Sequence, residues 1–215
     1  MTVTDWPSLD PYWYRLGVLP GTEELPFGIH VGHTWHEIGT LFRVIQRYDV
    51  KLFIEIGVHR GGLAALLLCR SAIHPGFGYL GVEIDQTIVT EAPRAMAGER
   101  IFYGDCFSDK IMHMVRTAVE NHGGGRAMIY CDNGNKPKEI AAYADVPRPG
   151  DLIGTHDYWD PTRDVRDFPG YGIRVDTVRP EVLEADLAPL RTEKFRSLPA
   201  EWLKETRLAI YERVV

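Results

Sequence analysis

Apolar residues along the chain fall into short runs whose period switches between that of a helix and that of a buried strand. From Glu37 onward, Ile38, Leu41, Phe42 and Ile45 recur at i, i+3, i+4 and i+7, which predicts an amphipathic helix ending near Tyr48-Asp49. Leu52–Ile56 is a continuous β-prone run, followed by a glycine turn and a helix over about Gly62–Ala72 that stops at His74-Pro75-Gly76. Tyr79–Asp85 predicts a second strand and Thr87–Met96 a helix interrupted by Pro93. Arg100–Tyr103 predicts a short third strand, and Ile111–Glu120 a helix closed by Gly123-Gly124-Gly125. Ala127–Cys131 predicts a fourth strand, Lys138–Ala144 a helix, and Asp151–Thr155 a fifth strand. Strands alternating with helices at this cadence make an α/β chain with a mostly parallel sheet covered on both faces. The end departs from that pattern. A Pro/Gly-rich excursion from Asp160 to Gly172 precedes a helix around Pro180–Leu187, and Phe195–Leu198 and Leu208–Val214 then read as a terminal antiparallel hairpin.

Composition changes this picture little. The 215 residues suit one domain, and 45% hydrophobic with 25% charged residues is a soluble globular balance. Residues 1–36 stand apart, with four prolines among the aromatics Trp6, Tyr12, Trp13, Tyr14, Phe27 and Trp35; they read as a mostly irregular cover over the domain formed by 37–215. His30, His33 and His36 crowd its end; their spacing hints at metal, but hydrogen-bonded or solvent-facing histidines are the simpler reading, since Gly32 opposes a helix there. Cys69, Cys106 and Cys131 are widely spaced and each lies beside an apolar run, so buried free thiols are expected. A net charge of −6 with no basic run argues against a nucleic-acid partner. The absence of a membrane-length apolar run or a signal-like start makes the cytoplasm the default location.

Chemistry gathers at the strand ends. The first strand runs into Glu55-Ile56-Gly57-Val58-His59-Arg60-Gly61, an E-x-G-x-x-x-G loop. It lacks the spacing of a dinucleotide fingerprint and the lysine of a P-loop, so it suits a ligand presenting a cation rather than a pyrophosphate. In an open α/β sheet ligands bind beyond the carboxyl ends of the strands. Here those ends carry Glu55, then Glu83 and Asp85, then Asp105, then Asp132, and finally His156-Asp157. A lone acid at a strand end is an ordinary helix cap, but one at every end is a stronger signal. A carboxylate after the second strand is placed to accept hydrogen bonds from ribose hydroxyls, with Glu83 the first choice and Asp85 the reserve. Asp132 and the His156-Asp157 pair, on neighbouring strands, would bring three oxygen or imidazole donors together.

This arrangement resembles the class I S-adenosylmethionine (SAM)-dependent methyltransferases, over roughly Glu37–Val215. The resemblance implies a Rossmann-like, mostly parallel seven-stranded sheet closed by an antiparallel hairpin. It also implies that Glu55, Gly57 and Gly61 border the methionine end of SAM, that Glu83 holds the ribose, and that Asp105-Cys106 contacts the adenine. The Asp132/His156/Asp157 trio is similar to the metal site of the cation-dependent O-methyltransferases, of the catechol and the cephalosporin hydroxylase/macrocin O-methyltransferase-like groups. In the latter the fifth strand ends in two consecutive acids. A histidine in the first of those places favours Mn²⁺, Fe²⁺ or Zn²⁺ over Mg²⁺. Lys136 is one residue out of register with the lysine base of the catechol-type enzymes.

The reading is therefore O-methylation of a small-molecule hydroxyl with a divalent cation, Mg²⁺ or Mn²⁺, at Asp132, His156 and Asp157, and with Lys136, His156 and Asp157 as the catalytic candidates. A metal-free enzyme using His156 or Lys136 as base, and a SAM- or nucleoside-binding protein without catalysis, remain open beside it. No membrane partner is expected, and the sequence leaves a homo-oligomer open.

Overall fold

A computed structural model of the protein describes residues 24–25, 29–33, 35–158, 182–203 and 206–215. Most of the aromatic segment, the excursion after Trp159 and the start of the helix expected at Pro180 lie outside the described residues. Strands β1 (Glu24–Leu25) and β2 (Ile29–His30) pair with each other, and helix α1 (Trp35–Arg47) follows. The main layer then alternates β3 (Val50–Ile56), α2 (Gly62–Ile73), β4 (Gly78–Glu83), α3 (Glu91–Ala97), β5 (Ile101–Tyr103), α4 (Asp109–Asn121), β6 (Arg126–Cys131), α5 (Lys136–Tyr143) and β7 (Leu152–Thr155). β8 (Phe195–Ser197), the short α6 (Ala200–Leu203) and β9 (Ala209–Arg213) close the chain.

The seven-stranded sheet has the order β5-β4-β3-β6-β7-β9-β8, parallel except that β9 runs antiparallel to both β7 and β8. Strand side chains alternate between its faces, and the two cores record that alternation. Phe53, Met128 and Tyr130 pack with Leu41, Val44 and Ile45 of α1 and with α2. Ile54, Ile56, Ile129, Cys131 and Ile153 pack against α4 and α5. With both faces covered, the central strands are apolar almost throughout, which is why their runs stand out in the sequence.

Three local differences have physical causes. β4 stops at Glu83, two residues before the expected end, because the Glu83 carboxylate accepts the N–H groups of Ile84 (2.8 Å) and Asp85 (3.3 Å) and turns the chain away. α3 begins at Glu91, which puts Pro93 in the first turn, where a helix has no use for its missing N–H. In place of the helix expected around Pro180–Leu187, the described residues form a 3₁₀ segment at Glu184–Leu190; it starts where Asp186 accepts the Leu183 N–H and contains Pro189. Cys106 and Cys131 are buried, but Cys69 is exposed, contrary to expectation.

Candidate functional site

The chain winds outward from β3 through β4 to β5, then returns to place β6 on the other side of β3. A crevice opens at such a reversal, beyond the carboxyl ends of the strands. Here it is a cavity of about 510 Å³, lined by Glu55, Gly57, Glu83, Asp132, Lys136 and His156 among others.

The loop after β3 is held tightly on both sides. Gly57 sits at φ 97°, and a Cβ there would lie 2.6 Å from the backbone N and Cα of Asn133. The Gly57 N–H bonds the Val82 carbonyl and the Asp132 N–H bonds the Ile56 carbonyl, so β3, β4 and β6 meet at this turn. Gly61, at φ 88°, precedes α2, whose free N–H groups face the cavity end. Glu83 is buried and its Oε2 accepts the His59 N–H at 2.7 Å, which pins the loop to the end of β4. Asp85 also lines the cavity, but its Oδ1 is engaged by the N–H and hydroxyl of Thr87.

Glu55 is fully enclosed beneath the loop, and Tyr79 donates its hydroxyl to Oε2 at 2.5 Å. Burial pushes the Glu55 carboxyl well above the ordinary carboxylate range, although the Tyr79 bond favours ionisation. Gly81, opposite Glu55 in the sheet, leaves room for that hydroxyl; a Cβ there would stand 2.7 Å from it. Asp105 and Cys106 are not among the cavity lining. Asp105 is exposed and caps the Phe107 N–H, and Cys106 touches the site only through its sulfur, 3.8 Å from Asn133 Nδ2.

At the β6–β7 end, charged groups gather around Asp132. His156 Nδ1 lies 3.5 Å from Asp132 Oδ1, and His33 Nε2 lies 3.2 Å from Asp132 Oδ2 and 3.0 Å from the Tyr130 hydroxyl. The two imidazoles stack at 4.3 Å between centroids. Lys136 Nζ stands 3.4 Å from Asp132 Oδ1 and 3.1 Å from Asp157 Oδ2. Asp157, whose backbone is left-handed (φ 57°), is also gripped by Arg207 Nη1 at 2.5 Å. Glu37, fully buried at the start of α1, faces both Arg207 (3.2 Å) and His156 Nε2 (3.2 Å). Burial alone would raise the Glu37 and Asp132 carboxyls and lower His156, but their mutual attraction wins. Beside His156, with Arg207 and His33 adding to it, Glu37 stays well below the carboxylate range; the two histidines hold Asp132 low as well, and the facing carboxylates lift His156 to about 10.

The metal-capable atoms that converge are those of His33, Asp132 and His156, all within 4.8 Å of one another. Asp132 and His156 were expected there. Asp157 is close, 3.5 Å from His156 Nδ1, but its carboxylate is occupied by Lys136 and Arg207. His33 takes the third place. Donors around a divalent ion with bonds of about 2.1 Å stand roughly 3.0–3.4 Å apart; the His33–Asp132 Oδ2 edge (3.2 Å) fits one, and the His156–Asp132 Oδ1 edge (3.5 Å), to the other carboxylate oxygen, is slightly wide. Sequence reasoning passed over Glu37, Tyr79 and Arg207, and it read His33 as one of three ordinary histidines.

No protein-family model matches the chain, and no curated protein matches it in sequence. Solved structures do. CmcI in an apo form aligns over 90% of this chain and 77% of its own at 13% identity, with a TM-score of 0.62. CmcI with Mg and SAM aligns over 90% and 78% at 14% identity, TM-score 0.60. The O-methyltransferase TomG from Streptomyces achromogenes, involved in tomaymycin synthesis and in complex with SAM, aligns over 100% of both chains at 16% identity, TM-score 0.51. At such identities the likeness is one of architecture: the chain has the Rossmann-like fold found in SAM-dependent O-methyltransferases.

Proposed function

We propose that the protein is a SAM-dependent methyltransferase acting on a hydroxyl of a small molecule, with a divalent cation at the Asp132–His156 end of the cavity. The observation that carries this reading is one cavity, at the sheet's reversal point, with a ribose-suited carboxylate (Glu83) on one wall and a hydroxyl-handling cluster (Asp132, Lys136, His156) on the other. SAM would lie across the loop after β3, its ribose on Glu83 and its methionine end near Gly57, Gly61 and Glu55; Asp105 and Cys106, just beyond the end of β5, remain the candidates for the adenine. Its structural neighbours include proteins holding SAM, one of them together with Mg.

Methyl transfer is an in-line displacement: an acceptor oxygen forms a bond to the methyl carbon as the carbon–sulfur bond breaks. S-adenosylhomocysteine (SAH) leaves and the acceptor gives up a proton. The protein must align the oxygen and favour its anionic form. A bound cation would supply charge that lowers the acceptor's pKa. Lys136 contributes to the same end without changing protonation: as an ammonium held between Asp132 and Asp157, it can donate to an oxyanion in the cavity. Acting as a base, it would first have to surrender a proton between two carboxylates, which makes that role the harder one. Calorimetric titration with SAM, SAH and NADH, followed by methylation assays on hydroxyl acceptors with and without EDTA, tests the reading. SAM and SAH binding with chelator-sensitive methylation is expected. A chain that bound NADH but not SAM would refute it, and full activity after exhaustive chelation would remove the cation.

A further inference from the structure

We propose that His33, Asp132 and His156 form a 2-His-1-carboxylate site for a divalent first-row transition ion, with His33, from the arm preceding α1, as the third ligand and Asp157 outside the ligand set. The proposal rests on the reading above only for what the ion does; its geometry stands alone. The three donor atoms converge within 4.8 Å, and both imidazoles are buried.

Each ring is also oriented through its other nitrogen. His33 Nδ1 lies 3.0 Å from the Val31 carbonyl, so an N–H donated there leaves Nε2 facing Asp132 Oδ2. His156 Nε2 lies 3.2 Å from Glu37 Oε2 and 3.0 Å from Arg207 Nη2; because the guanidinium only donates, an N–H donated to Glu37, which leaves Nδ1 facing Asp132 Oδ1, requires Arg207 Nη2 to turn away from the ring. Histidines that bind metal are oriented in this way, through a carbonyl or carboxylate on the far nitrogen. Competing contacts within the trio include the Tyr130 hydroxyl on His33 Nε2, Lys136 Nζ on Asp132 Oδ1 and Asp157 Oδ2 at 3.5 Å from His156 Nδ1.

Two nitrogen donors and one carboxylate set the selectivity. Mg²⁺ takes oxygen ligands almost exclusively, whereas imidazole suits Fe²⁺, Co²⁺ and Zn²⁺, with Mn²⁺ tolerant of both. A trio on one side of an ion leaves the opposite positions open. Here His33, Asp132 and His156 all line the cavity, together with Lys136 and Gly134. The fifth strand's histidine thus gains its partner from a residue 123 positions away (156 − 33).

The test is titration of chelator-stripped full-length protein with Mn²⁺, Co²⁺, Zn²⁺ or Mg²⁺ alone, read by calorimetry, with SAH binding measured on each variant as a check on the fold. One equivalent of Co²⁺ or Zn²⁺ should bind, with Mg²⁺ weaker by at least about tenfold. His33→Ala and Asp132→Ala should each weaken transition-ion binding by at least about 100-fold, and Asp157→Asn by less than about threefold. If His33→Ala also loses SAH binding, His33→Asp replaces it: a second carboxylate should keep a site and move its preference toward Mg²⁺. Metal affinity intact in His33→Ala but lost in Asp157→Asn would overturn the ligand set. Wild-type protein that binds SAH but no ion, or binds Mg²⁺ as tightly as Co²⁺, would overturn the site while leaving the methyltransferase reading standing. A wild type that binds ions but not SAH does the reverse.

Discussion

Gly57→Ala tests whether the loop after β3 and the Asp132 end of the cavity are one mechanical unit. The new methyl group would meet the backbone of one peptide unit: 2.6 Å from the N and Cα of Asn133 and 2.7 Å from the Asp132 carbonyl oxygen. None of these can rotate aside as a side chain would. Left-handed backbone at φ 97° adds roughly 1–2 kcal/mol for any residue with a Cβ, and overpacking adds about 1–3 kcal/mol. The sum, about 2–5 kcal/mol, corresponds to a Tm lower by roughly 4–20 °C in a chain of this size. Relief of the contact has to part the ends of β3 and β6, which displaces both the loop proposed to border SAM and the backbone carrying Asp132. If about 1.4 kcal/mol of the strain is spent on the binding-competent arrangement, SAH affinity falls tenfold. Gly39→Ala is the control: it lies within α1 with nothing within 4 Å of its Cβ position, and should gain about 0.5–1 kcal/mol from helix propensity. Calorimetric SAH titration and thermal denaturation read both effects. A Gly57→Ala protein with unchanged Tm and SAH affinity would refute the coupling of the two strand ends.

Glu83→Ala removes the acceptor for the N–H groups of His59, Ile84 and Asp85, so it should lose both about 1–3 kcal/mol of stability and a comparable amount of SAM affinity; SAM binding at wild-type strength would take the ribose role from this residue. Arg207→Ala takes one cationic partner from the buried Glu37, leaving His156 beside it, and one from Asp157, leaving Lys136, and should destabilise the fold by about 1.5–3 kcal/mol; a denaturant midpoint within error of wild type would show that the ion pair is dispensable. Burial lifts the Glu139 carboxyl from 4.5 to about 7, against its bonds from the Asn133 and Asn135 N–H groups. A group raised in the folded state contributes fully below its unfolded pKa and loses that contribution as pH climbs through the folded value. Between pH 5 and 8 wild type should therefore lose up to about 3 kcal/mol relative to Glu139→Gln, and parallel stability–pH curves for the two proteins would count against the buried neutral acid.

The sheet was legible because its strands are buried on both faces. Phe53 and Met128 serve one core and Ile54 and Ile129 the other, so the runs are apolar on both faces, Glu55 near the end of β3 excepted. The acids at the strand ends were legible for the opposite reason, since a charge directly after such a run has few structural uses. Boundaries were less so. Glu83 ends β4 through bonds from its own side chain to the next two amides, and nothing in the apolar period records a bond of that kind. Cys69, in an apolar helix, turned out exposed because Leu63, Ala64, Ala65, Leu67 and Leu68 suffice to bury one face of α2. The Glu55–Tyr79 bond depends on the space at Gly81 one strand away, which sequence alone reveals only once the register of β3 and β4 is fixed.

At the Asp132 end of the cavity the sequence showed the carboxylates and hid most of what balances them. Glu37 reads as the polar first turn of an amphipathic helix, yet it is fully enclosed; its partner Arg207 is 170 positions away. Only folding joins them. Counting Glu37, Asp132 and Asp157 against Lys136 and Arg207 leaves one negative charge, which His156, protonated among its facing carboxylates, balances. A divalent ion at Asp132 and His156 would displace that proton, because imidazole binds metal in its neutral form. The cluster with the ion would stand at plus one, and an acceptor oxyanion beside it would restore neutrality. On the proposed reading the ion and the deprotonated acceptor therefore favour each other's binding, as methylation of a hydroxyl at neutral pH requires.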